Sequence, residues 1–61
     1  MTGGDLGEII IERTRNGPYL KVSAIHVATG KEVSAMGSIH EPNAVERVAV
    51  TKLRRAIGLT P

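Results

Sequence analysis

The chain contains no cysteine, tryptophan or phenylalanine, and its single aromatic residue is Tyr19. Without cysteine there is no disulfide to brace a small fold and no thiolate to hold zinc. With one aromatic ring, a stacking platform for bases is not expected. No apolar run approaches the roughly 18 residues of a membrane helix, and no signal peptide is seen. A soluble, cytoplasmic protein with no membrane contact is therefore expected. Nor does charge of one sign dominate. Eight Lys+Arg stand against six Asp+Glu, for a net charge of +2, which is weak support for a polyanionic partner.

Sixty-one residues make one domain at most. A domain of this size buries only about 60% of the surface its unfolded chain exposes. Small folds offset that shortfall with disulfides, a metal or a partner subunit. With cysteine absent, association is the expected supplement.

Residues 1–7 (MTGGDLG) are polar and glycine-rich and read as a disordered N-terminal tail. Residues 8–59 form the single domain. Residues 8–15 (EIIIERTR) are β-branched and predict a strand. Asn16-Gly17-Pro18 is a turn, residues 19–27 (YLKVSAIHV) a second strand, residues 28–31 (ATGK) a turn, and residues 32–38 (EVSAMGS) a third strand. Residues 42–57 (PNAVERVAVTKLRRAI) predict a helix with Val45, Val48, Ala49, Leu53, Ala56 and Ile57 on one face. Pro42 suits its first turn, while Asn43 with Glu46 also matches a capping box. Gly58 stops it, with Leu59 placed for the accompanying apolar contact. The expected fold class is α+β: a three-stranded antiparallel meander followed by one C-terminal helix packed on one face (βββα).

Turn chemistry sets the expected pairing. Pro18 has no N–H to close an Asn-Gly hairpin, so a four-residue loop, residues 15–18, is expected, with Thr14 opposite Tyr19 and Ile11 opposite Val22. For the second hairpin, Ala28-Thr29-Gly30 suits a type I turn with Gly30 left-handed in a bulge, which puts Ile25 opposite Val33 and Ser23 opposite Ala35. A four-residue loop would instead put Ala24 opposite Ala35. Under the bulged register both faces are apolar. One carries Ile9, Ile11, Leu20, Val22, Ala24 and Met36; the other carries Ile10, Ile25, Val27, Val33 and Ala35, with Ser23 and Gly37 among them. One helix covers one face. The second face predicts a homodimer, with Ile10, Ile25, Val27, Val33 and Ala35 lining the contact.

Residues able to carry chemistry are few. His26 and His40 are the only imidazoles. A metal needs three or four ligands, and no second cluster lies at ligand spacing, so His26 reads as a surface histidine at the sheet edge and His40 as a loop residue. Thr29-Gly30-Lys31 resembles a piece of a phosphate loop, but a strand follows it where such a loop requires a helix. Ser23 and Ser34 have no neighbouring base. No catalytic residue, metal or cofactor is expected. Arg13, Arg15 and Lys21 cluster near the first hairpin, so the alternative is a nucleic-acid-binding module that presents a basic hairpin on its sheet.

The stretch K-V-S-A-I…T-G-K-E-V-S (residues 21–34), followed by G-S-I-H-E-P-N-A-V-E-R-V-A-V-T-K-L (residues 37–53), resembles a family of short, mostly alphaproteobacterial proteins that carries a domain of unknown function. The likeness runs over residues 8–57. It implies a bacterial, cytoplasmic, stand-alone small protein and brings no catalytic residue with it. The expected function is a homodimeric protein–protein interaction module, not an enzyme.

Overall fold

The structure, a computed structural model, describes residues 7–58. The expected tail, apart from Gly7, and the Leu59 contact lie outside the described residues. Three strands, β1 (Ile9–Asn16), β2 (Tyr19–His26) and β3 (Glu32–Ser38), precede one helix, α1 (Pro42–Ala56). The strands are antiparallel in the order β1-β2-β3, so β2 is central and the other two are edges. The expected βββα arrangement is the observed one.

The first hairpin pairs Asn16 with Tyr19, Arg13 with Val22, Ile11 with Ala24 and Ile9 with His26. Its loop is therefore Gly17-Pro18, two residues where four were expected. The objection to a short loop was the missing N–H of Pro18. In the observed turn Pro18 is the second loop residue, and the ladder resumes at Tyr19, so that N–H is not required. Gly17 takes φ +63 at the first loop position. A primed turn needs positive φ there, and a proline at the second position leaves only type II′, whose twist matches the strands. The register slides by two residues, an even number, so each β1 side chain keeps its expected face.

The second hairpin pairs Ala24 with Val33, Val22 with Ala35 and Leu20 with Gly37. Its loop is residues 27–30. His26 N–H donates to the Lys31 carbonyl at 2.8 Å, and Gly30 N–H donates to the His26 carbonyl at 2.7 Å. Gly30 is left-handed, as expected, at φ +75. Val27, however, belongs to the loop and not to the strand. That one residue moves the register by an odd number and turns every β3 side chain over relative to the bulged hairpin. Val33, Ala35 and Gly37 share a face with Leu20, Val22 and Ala24, and Met36 lies on the opposite face.

α1 runs back along β3. It starts with Pro42 at the beginning of the helix and Glu41 as a cap residue that makes no side-chain capping bond. The Asn43–Glu46 box does not form; Glu46 instead pairs with Arg13 on β1. The helix stops at Gly58, which adopts φ +85 and donates its N–H to the Arg55 carbonyl at 3.2 Å. Val45, Ala49 and Leu53 are buried at four-residue spacing against Leu20, Val22, Ala24 and Ala35. Ile9, Ile11, Val33, Ile39 and Ile57 flank this core. The buried stripe is narrower than expected: Val48 is 52% exposed and Ala56 is exposed.

Small residues let the helix sit close. A Cβ placed on Gly37 would lie 2.6 Å from Cγ2 of Val45, well inside contact distance. Gly37→Ala should therefore destabilise the fold by about 1–3 kcal/mol through overpacking. Val45→Ala in the same chain should recover part of that loss. Urea denaturation of the two single variants and the double variant checks this, and simple additivity would show that the helix does not seat on Gly37.

Candidate interaction surface

The face opposite α1 can be read in rows across the sheet. From β1 to β3 they are Ile10–Ile25–Glu32, Glu12–Ser23–Ser34, Thr14–Lys21–Met36 and Asn16–Tyr19–Ser38. Most positions are polar, as an antiparallel face open to water should be. The expectation of a second apolar face is thus corrected, and the reason is the odd slip in β3. Val33 and Ala35 were expected at a dimer contact. They lie under α1 instead, Ala35 buried and Val33 packed against the core. Ile10 and Ile25 do lie on the open face, directly paired, and Val27 is exposed in the loop beyond them. Met36 and Tyr19, which sequence reasoning did not place on this face, are also exposed there. The parity of the second loop assigns Met36, and alternation along β2 assigns Tyr19.

A second feature lies on the helix side. α1 packs on β2 and β3 and scarcely touches β1. The strand is open along its length: Ile9 and Ile11 are half-buried, Ile10 is 45% exposed, and residues 12–16 are exposed. Three consecutive isoleucines therefore occupy an edge strand at the margin of the core, with Ile9 and Ile11 only partly covered and Ile10 exposed.

The two edges also differ in their backbone groups. Val27 N–H donates to the Glu8 carbonyl at 3.2 Å, so Glu8, Ile10, Glu12 and Thr14 bond toward β2. By alternation the N–H and C=O groups of Ile9, Ile11, Arg13 and Arg15 point outward. Among the described residues no hydrogen bond reaches those outward groups. On β3 the outward groups are those of Glu32, Ser34, Met36 and Ser38 by the same alternation. There Lys52 Nζ donates to the Ser34 carbonyl at 2.7 Å, and Glu41 N–H donates to the Ser38 carbonyl at 3.1 Å. A lysine at a sheet edge discourages further strand pairing. On β3 that lysine caps an outward carbonyl; on β1 the charged residues, Glu12, Arg13 and Arg15, lie beyond the isoleucines, and residues 9–11 carry none.

The basic residues do not gather on one surface. Arg13 and Arg15 project on the helix side, in register with Val22 and Leu20, whereas Lys21 pairs with Thr14 and Met36 on the open face. Arg13 bonds to Glu46, which neutralises it locally, and Arg15 Nε donates to the Gly17 carbonyl at 3.2 Å. His26 corrects another expectation. It is 8% exposed, not a surface residue, and its Nδ1 lies 2.8 Å from the Thr29 hydroxyl, which also accepts the Lys31 N–H. His26 shares the helix-side face because its even position follows Leu20, Val22 and Ala24. His40 is exposed in the turn before α1, its N–H bonded to the Ser38 hydroxyl. Among the described residues there is no enclosed cleft, no grouping of three His, Asp or Glu side chains, and no helix long and apolar enough to cross a membrane.

A family model described as a domain of unknown function (DUF6898) matches residues 6–59. The chain belongs to that family. No curated protein and no solved structure matches it.

The two sets of apolar residues should respond differently to charge. Ala35→Asp buries a carboxylate in the core and should cost several kcal/mol, enough to unfold a domain this small. Ile10→Asp and Ile25→Asp should leave the circular dichroism spectrum of the folded chain intact. A folded Ala35→Asp variant would mean that β3 faces the other way.

Proposed function

We propose that this member of the DUF6898 family is a homodimeric protein–protein interaction module rather than an enzyme, acting in the bacterial cytoplasm. The contact is centred on β1 and the Ile10–Ile25–Val27 corner beside it. The observation that carries this reading is the position of the helix, which shields β2 and β3 and leaves the isoleucine strand open. Apolar burial contributes about 25 cal/mol per Å², and a domain this small has a thin margin from its own core. A second copy that covers β1 would extend that core. The separation of Arg13 and Arg15 from Lys21 weighs against a single basic surface for nucleic acid.

Sedimentation equilibrium should show a dimer that dissociates on dilution. Ile10→Asp should weaken it at least tenfold without changing the fold, and a wild-type chain that stays monomeric at millimolar concentration would refute the proposal. Duplex DNA titrated at about 50 and 200 mM salt should show no steep salt-dependent binding. A steep slope would favour a nucleic-acid module instead.

A further inference from the structure

We infer that the second copy docks by antiparallel pairing of β1 with β1, with the twofold axis passing between the two Ile11 residues. The inference rests on the homodimer reading above and specifies how the contact is made. Two copies joined this way form one continuous sheet in the order β3-β2-β1-β1-β2-β3. A twofold axis perpendicular to the sheet keeps both helices on the same face.

The choice of edge follows from the backbone. The outward groups of Ile9, Ile11, Arg13 and Arg15 have no partner among the described residues, whereas the β3 edge is occupied at Ser34 and Ser38. An unpaired strand edge is a template for another strand. At its first half this edge carries three consecutive apolar side chains, Ile9, Ile10 and Ile11.

The choice of register follows from charge. Like charges directly opposite one another destabilise a pair of strands. Centring the axis on Ile10 sets Glu8 opposite Glu12. Centring it on Glu12 or on Arg13 sets that residue opposite its own copy, and centring it on Thr14 sets Arg13 opposite Arg15. An axis at Ile9 pairs little beyond the isoleucines and leaves the outward groups of Arg13 and Arg15 unmet by any described residue. The axis at Ile11 avoids all of these. It places Ile11 opposite Ile11, Ile9 opposite Arg13, Ile10 opposite Glu12 and Glu8 opposite Thr14. Ile11 then exchanges both backbone bonds with its own copy, and Ile9 does so with Arg13 of the second copy. On the helix side, Ile9 and Ile11 of both copies meet along the strip that α1 leaves bare. Thr14 lies beside Lys21 in its own sheet, so Glu8 of the second copy approaches a cation.

Amide hydrogen exchange on the wild-type chain tests the edge, read by NMR above and below the concentration at which sedimentation shows dimer. The N–H groups of Ile9, Ile11 and Arg13 should exchange freely in the monomer and at least tenfold more slowly in the dimer. Those of Ile10, Glu12 and Thr14 should be protected in both. Single cysteines test the register against a background that contains none. Across a hydrogen-bonded antiparallel pair the Cα atoms are about 5.5 Å apart, within disulfide range. Ile11→Cys should therefore oxidise to a covalent dimer, and Ile10→Cys and Glu12→Cys, each offset from its own copy, should not. A dimer whose Ile9, Ile11 and Arg13 amides stay fast would overturn the edge pairing while leaving the homodimer intact. A chain that never dimerises would overturn both. Cross-linking at residue 10 or 12 in place of 11 would overturn the register.

Discussion

One helix is too narrow for three strands. An α-helix with its side chains is about 10–12 Å across, and neighbouring strands lie about 4.8 Å apart. A single helix therefore covers two strands well and a third poorly. Which two is settled by the short connection from β3 into α1 and by the absence of a side chain at Gly37. Val45 seats where a Cβ would stand, 2.6 Å from its Cγ2, and this holds the helix over β3 and β2. Ala24, Ala35 and Ala49 are small and buried in the same core. β1 is left at the margin as a geometric consequence.

The second loop controls how the apolar residues are divided. By taking Val27 into the turn, the chain puts Val33, Ala35 and Gly37 beneath the helix and sends Glu32, Ser34 and Met36 outward. The core gains the small residues that α1 needs. The open face becomes mixed, with an apolar corner at Ile10 and Ile25 in place of a continuous apolar surface. The burial of His26 belongs to the same arrangement. Its ring closes the core next to the loop, bonded to Thr29, which also receives the Lys31 N–H.

These two facts give the edges of the sheet different characters. β3 lies under the helix, and Lys52 reaches across to cap its Ser34 carbonyl. β1 has isoleucines on both faces and outward backbone groups that no described residue meets. Arg13, bonded to Glu46, ties the far half of β1 to the helix. A surface ion pair of this kind contributes at most about 1 kcal/mol, so it orients the strand more than it stabilises the fold. In the proposed dimer, that strand is where the second copy docks.

Local pattern carried much of this. The β-branched runs, the apolar spacing of the helix, Pro42 at its start, Gly58 at its end and the left-handed Gly30 were all legible, because each depends on residues a few positions apart. Glu46 was legible as a capping residue but is used elsewhere, since Arg13 competes for it from a strand 33 positions away. The sequence by itself determined the elements, their order and the β1 and β2 faces. The parity of β3, the burial of His26, the bare flank of β1 and the capped edge of β3 were decided only by the tertiary structure. Parity turns on whether Val27 joins the strand or the loop, and the observed loop is the one that sets Gly37 beneath Val45, a contact between elements that local pattern does not reach.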